Sequence, residues 1–221
     1  MKLEELFLSE GPQDVHNYKA VFMAGGPGSG KSYVANFLRS GTGLKYINVD
    51  DFVEMLAPKH GVDLEKGYPE EAEFYQKTRD LFRKRRDLGI EQRRGILIDG
   101  TGARFDQIKK LKERLEDIGY DIAMVYVDVD LETAINRNKK RSRKVDLHFL
   151  KNTHKMVKDN IQKYAQMFGL DFIIVDNSDP QNEEHKQYLK KNHTDAWKKI
   201  RKFLSKPNAA AVRYKETGQI Q

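Results

Sequence analysis

The chain has 221 residues, 38% of them hydrophobic, no cysteine and a formal net charge of +7. That length suits one sizeable domain or a domain with an appendage, and the missing cysteines exclude disulfide staples and cysteine-ligated zinc, as expected of a protein made in a reducing compartment. No apolar stretch reaches the roughly 18 residues that span a bilayer, the acids within "MKLEELFLSE" exclude a signal peptide, and the basic balance favours anionic partners: nucleotides, phosphorylated metabolites or nucleic acid.

Residues 1–18 read as a short amphipathic helix or arm, and a cytoplasmic location is expected. The first strand is "KAVFMA" at 19–24, followed by the glycine-dense "GGPGSGKS" at 25–32 and a helix over "SYVANFLRS". The second strand, "LKYINV" at 44–49, ends in Asp50 and Asp51. Residues 50–94 are too long for a simple crossover and hold a charged helical stretch, "EEAEFYQKTRDLFRKRRDLGIEQRR". The third strand, "GILID" at 95–99, leads into the helix "FDQIKKLKERLEDIG", which stops at Gly119. The fourth strand, "DIAMVYVD" at 121–128, precedes "DLETAINRNKKR" and a long helix from "DLHFLK" to "QMFG"; the fifth is "DFIIVD" at 171–176. A charged helix, 183–206, runs to Pro207, and the tail after it reads as loose.

Runs that are apolar on both faces belong in buried parallel strands, and strand alternating with helix makes an α/β domain. With G-x-x-x-x-G-K-[ST] at 25–32 between the first strand and its helix, the expected fold is a P-loop NTPase: a five-stranded, mainly parallel sheet flanked by helices, with a helical insertion after strand 2 and a C-terminal helix. The expected division is an arm at 1–18, the core domain at 19–178 and a helical extension with its tail at 179–221.

Gly25, Gly30, Lys31 and Ser32 satisfy G-x-x-x-x-G-K-[ST] between a strand and a helix. Glycines let backbone N–H groups curl around a phosphate, and the following helix adds its positive N-terminus. The nucleotide-binding stretch is Gly25, Gly26, Gly28, Ser29, Gly30, Lys31, Ser32 and Tyr33. Residues 28–32 supply the N–H groups, Lys31 reaches the β- and γ-phosphates, and the Ser32 hydroxyl ligates Mg²⁺. A dinucleotide fold uses similar glycines, but its third position is Lys31 here, which blocks the close helix–strand approach that fold needs.

Ligands of parallel sheets bind beyond the carboxyl ends of strands. Asp50 is placed to act as general base on a substrate hydroxyl, while its neighbour Asp51 points elsewhere; two helix-capping acids are the plainer alternative. Asp99, after an apolar run, is placed to help hold Mg²⁺ and, with Asp50, to meet the substrate, and Thr101 offers it a hydroxyl. Asp130 reads as the cap of the next helix, since "VDVDLET" lacks the Gly-Thr that aspartate-nucleophile phosphatases carry. In "RNKKRSRK", Arg137 and Arg141 lie four apart on one helix face, as a lid that covers a transferring phosphoryl group would require; Arg143 is a third candidate. A solvated or nucleic-acid-binding face is the alternative.

These segments, taken together over about residues 19–178, resemble the P-loop kinases that include zeta toxins and bacteriophage 5′-hydroxyl polynucleotide kinases. "GGPGSGKS" resembles their phosphate loop, and "INVDDF" the segment whose catalytic aspartate falls on Asp50. "ILIDGTGARFDQIKKLKERLEDIGY" is similar to the zeta-toxin stretch in which an acid, Gly and Thr end a strand, and "INRNKKRS" to the polynucleotide-kinase lid, with its arginines on Arg137 and Arg141. Those families place a basic residue three positions after the aspartate, where Val53 stands here, and zeta toxins have a glutamate at the position of Asp99. The resemblance implies an ATP- and Mg²⁺-dependent kinase acting on a hydroxyl of a nucleotide sugar or of a nucleic-acid 5′ end. No guanine-reading Asn/Thr-Lys-x-Asp signature is present, which points to ATP. The competing reading is a nucleotide-gated ATPase that binds nucleic acid or protein through the basic lid and the C-terminal helix.

Overall fold

The computed structural model describes residues 17–40, 42–64, 73–141 and 145–217. The expected N-terminal arm, apart from its last two residues, and the third lid candidate, Arg143, lie outside the described residues, as does the tail end 218–221.

Five strands, β1 (Lys19–Ala24), β2 (Lys45–Ile47), β3 (Ile96–Asp99), β4 (Asp121–Asp128) and β5 (Phe172–Asp176), form one sheet in the order β2-β3-β1-β4-β5. Every pairing is parallel, so each connection must be a crossover, which the chain makes with helices. These are α1 (Lys31–Arg39), α2 (Val49–Leu56), α3 (Glu73–Glu91), α4 (Phe105–Asp117), α5 (Leu131–Lys140), α6 (Leu147–Phe168), α7 (Glu183–Ser205) and α8 (Ala209–Thr217). β1 is central and buried along its whole length.

Side chains alternate across a strand, and here both faces are apolar. Ala20, Phe22 and Ala24 pack with Leu115 of α4 and Val157, Tyr164 and Phe168 of α6. Val21 and Met23 pack with Val34 and Leu38 of α1 and Ala196, Ile200 and Phe203 of α7. Helix α7 is thus part of one wall of the sheet, charged only on its outer side.

Two expectations are corrected. The stretch "NVDDF" does not continue the second strand: the strand stops at Ile47 and the helix begins at Val49. Asn48 is the cap, its side chain accepting the Asp50 N–H at 3.0 Å, so neither acid serves as one. The tail after Pro207 is not loose either, for α8 occupies 209–217. Buried Asn208 accepts from the N–H groups of Ala210 and Ala211 and donates to the carbonyls of Gly119 (2.9 Å) and Tyr18 (3.4 Å). An alanine run favours helix, and Ala210 and Ala211 pack against the core.

Candidate active site

The glycine loop leaves the carboxyl end of β1 and enters α1, whose first residue is Lys31. Its glycines are required by crowding as much as by backbone angle. A Cβ on Gly28 (φ 81°) would stand 2.6 Å from the Ala134 carbonyl of α5, and one on Gly25 would stand 2.6 Å from the Val127 carbonyl of β4. A Cβ on Gly30 would strike the Asn177 side chain. Neighbouring strand ends moor the loop: Gly25 N–H donates to the Thr101 carbonyl at 2.9 Å, and Asn177 donates to the Ser29 carbonyl at 2.8 Å.

Lys31 Nζ folds back onto this loop, donating to the carbonyls of Gly25 (2.7 Å) and Gly26 (3.4 Å). Burial lowers its pKa; the charges of Asp99 and Asp50 oppose that shift and Arg141 reinforces it. Asp99, at the end of β3, is only 8% exposed. Burial raises its pKa, Lys31 and a Tyr46 hydrogen bond pull it down, and Asp50 and Asp51 push it up. Tyr46 donates to Asp99 Oδ2 at 2.7 Å, while Oδ1 is buried with no partner among the described residues. Ser29 Oγ is in the same condition inside the loop, although the Ser29 N–H closes a turn onto the Gly26 carbonyl. Two orphaned oxygens in one small site are the mark of a missing partner, since buried polar groups are otherwise paired.

Lys31, Asp50, Asp99 and Arg141, chosen from separate stretches of sequence, therefore share one electrostatic neighbourhood. Ser32 and Tyr33 are exposed at the start of α1. Arg137 donates to Asp179 at 2.6 Å, with a longer contact of 3.5 Å to the Gly28 carbonyl, and so lies against the loop. Helix α5 ends at Lys140 and Arg141 is extended, so the shared helix face stops before Arg141. The Thr101 hydroxyl accepts the Ala103 N–H at 3.3 Å, and the residue also moors the phosphate loop through its carbonyl. Asp130 caps α5 as expected, receiving the Thr133 N–H at 2.7 Å. Val53, where the resemblance implies a basic residue, is fully buried with Ala57 and Phe74 between α2 and α3.

Mg²⁺ prefers oxygen ligands and retains several waters. Among the described residues no group of three His, Cys, Asp or Glu side chains could hold a metal by itself; the oxygens expected to hold Mg²⁺ are the exposed Ser32 hydroxyl and Asp99. The free Oδ1 of Asp99 fits that sparse set, with phosphates and water supplying the rest.

Tyr46, Asn48, Asn177 and Asp179 were not singled out by sequence. Asn177 and Asp179 follow β5 at the ligand-binding edge of the sheet, a position that could have flagged them; Tyr46 carried no such signal. A cavity of about 460 Å³ opens between the start of α4 and α6, lined by Arg104, Phe105, Asp106, Asn160 and Lys163 among others. Asn160 bonds the Ala103 carbonyl at 3.0 Å, which sets this cavity beside the Thr101 turn. No helix among the described residues is long and apolar enough to cross a membrane.

The zeta toxin family profile matches residues 7–192. No curated protein matches the chain in sequence. Among solved structures, a chain of the Pnkp1/Rnl/Hen1 RNA repair complex superposes with a TM-score of 0.54 at 18% identity, covering 66% of this chain and 46% of that one. AvrRxo1-ORF1:-ORF2 with ATP gives 0.55 at 14% identity, covering 72% and 54%. The PezAT toxin–antitoxin system of Streptococcus pneumoniae gives 0.57 at 14% identity, covering 85% and 88%. The chain spans about half the length of the first two. At these identities the likeness is one of fold, an α/β P-loop NTPase.

Proposed function

The chain belongs to the zeta toxin family, and we propose that it is a kinase that moves the γ-phosphoryl group of ATP to a hydroxyl acceptor. The observation that carries this reading is the convergence of Lys31, Asp50, Asp99 and Arg141 at the carboxyl edge of the sheet, around oxygens left unpaired. An ATP-bound structure among those of like fold supports the choice of donor.

The loop N–H groups and Lys31 grip the phosphate tail, Lys31 exchanging the Gly25 and Gly26 carbonyls for phosphate oxygens. Ser32 and Asp99 would hold Mg²⁺, which would supply positive charge against that of the phosphates. Asp50 takes the proton of the acceptor hydroxyl as its oxygen bonds to the γ-phosphorus. The bond to the β–γ bridging oxygen breaks and ADP leaves with that electron pair. Arg141, already felt by Lys31, balances the charge on the three equatorial oxygens, and Arg137 joins it once released from Asp179. The cavity beside Thr101 and the insertion at 54–94 would shape the acceptor site.

The test is an acceptor screen with Mg²⁺ and γ-labelled ATP, covering nucleotide sugars, nucleosides and 5′-hydroxyl oligonucleotides. Label in one class identifies the acceptor. If no class is labelled and the protein instead binds DNA or RNA with an affinity that falls steeply with salt, the kinase reading is overturned in favour of a nucleotide-gated binder.

A further inference from the structure

We propose that Tyr46 is a positioning residue for this phosphoryl transfer: its hydroxyl selects which Asp99 oxygen faces the nucleotide and ties that carboxylate to the helix bearing Asp50. The inference rests on the reading of Asp99 as an acid that holds the metal.

Three consecutive hydrogen bonds carry it. Asp50 N–H donates to Asn48 Oδ1 at 3.0 Å, Asn48 Nδ2 donates to Tyr46 Oη at 2.9 Å, and Tyr46 Oη donates to Asp99 Oδ2 at 2.7 Å. A phenol has one proton. Because Tyr46 accepts from the Asn48 amide, that proton goes to Asp99, and the direction of the chain is set by donor chemistry. A carboxylate rotates readily about its last bond and its two oxygens are equivalent until something distinguishes them. Tyr46 makes that distinction: Oδ2 is occupied, and Oδ1 is the buried oxygen without a partner among the described residues.

The ring is held in place on its own account. Tyr46 lies on β2 in register with Leu97, two residues before Asp99 on β3. The Arg39 guanidinium of α1 sits over its face, 4.7 Å from the centroid. One tyrosine therefore touches the end of the phosphate-loop helix, the metal-side acid and the cap of the base-bearing helix. Groups that orient a metal ligand in this way change metal affinity or activity by about 10–100-fold when removed.

The variant Tyr46→Phe keeps the ring and its stacking and deletes only the hydroxyl. Mn²⁺ serves as the probe, titrated by electron paramagnetic resonance into the protein–ADP complex, beside melting curves and steady-state kinetics. The expected result is a drop in Mn²⁺ affinity and in kcat of about 10-fold each, with KM for ATP within about twofold. Asn48→Ser keeps a capping oxygen but lacks the amide donor, and should lower kcat in the same direction by less. Unchanged Mn²⁺ affinity in Tyr46→Phe, while Asp99→Asn weakens it, overturns the role of Tyr46 alone. A lowered melting temperature without a change in Mn²⁺ affinity overturns it too, as a purely structural effect. If Asp99→Asn binds Mn²⁺ as well as the parent, the metal reading of Asp99 fails first, and the inference with it.

Discussion

At the amino-terminal edge of the sheet, Lys19 and Asp121 pair at 2.6 Å, Asn208 bonds the carbonyls of Tyr18 and Gly119, and the Tyr120 hydroxyl donates to the Arg94 carbonyl at 2.9 Å. At the carboxyl edge, at the other end of the same strands, Ser29 Oγ and Asp99 Oδ1 are buried and unpaired among the described residues, and Asp50 and Asp51 press their charge on Asp99. The same five strands supply both edges. One is closed by contacts within the chain, and the other is left with groups that a bound ligand could complete. The lower edge has one exception, the buried Arg93 Nε, on a residue held at φ 57° whose guanidinium lies over the Tyr18 ring. Where a fold leaves polar groups unmatched, stability has been given up locally, and the upper edge concentrates that loss beside an available lysine.

The comparison breaks most directly at Asp50. Asp50→Asn should lower single-turnover transfer by about 10²–10⁴-fold while leaving nucleotide affinity nearly intact; transfer at the parental rate would remove Asp50 from the chemistry and make the upper edge a binding surface only. At the opposite edge, Asp121→Asn strands the fully buried Lys19 ammonium and should destabilise the chain by about 2–3 kcal/mol in denaturant titration, with kcat unmoved. Because the Asp121 side chain is 34% exposed, the loss falls below that of a fully buried pair. If kcat fell in parallel, the two edges would not be independent.

Gly28→Ala sharpens the contrast on the upper side. Its Cβ would meet the Ala134 carbonyl at 2.6 Å with φ at 81°, so the loop must shift, and nucleotide affinity should fall by roughly 10-fold in a fluorescence titration. The smallest effect is a gain. Folding raises the pKa of Asp99, so its contribution favours the folded chain below the usual Asp value of 3.8 and is lost as pH rises through the raised pKa. Once ionised, the group opposes folding. Asp99→Asn should then melt higher than the parent above the raised pKa, and the gain should vanish in acid, as melting curves across pH would show. An equal gain at all pH values would mean that ionisation is not the cause.

Legibility followed the range of the interactions involved. The bounds of β1 and β4 were read directly because buried parallel strands are apolar on both faces, and the cap Asp130 because its partner Thr133 is three residues away. The Asn48 cap was not legible because the two acids next to it are good caps by type; what chooses Asn48 is the strand ending at Ile47. Helix α8 escaped because its alanines look like a tail until Gly119 and Tyr18 are seen to receive Asn208.

Amino-acid order alone determined the phosphate loop, the alternation of strand and helix and the candidate acids, since spacing along the chain encodes backbone geometry over a few residues. Tertiary structure decided that β3 lies between β2 and β1, which brings Tyr46 against Asp99; that Asn177 reaches Ser29 across 148 positions; and that Arg137 pairs with Asp179. These depend on which strand ends become neighbours in a parallel sheet, and strand order is set by the packing of whole helices on its two faces, a property no local spacing contains.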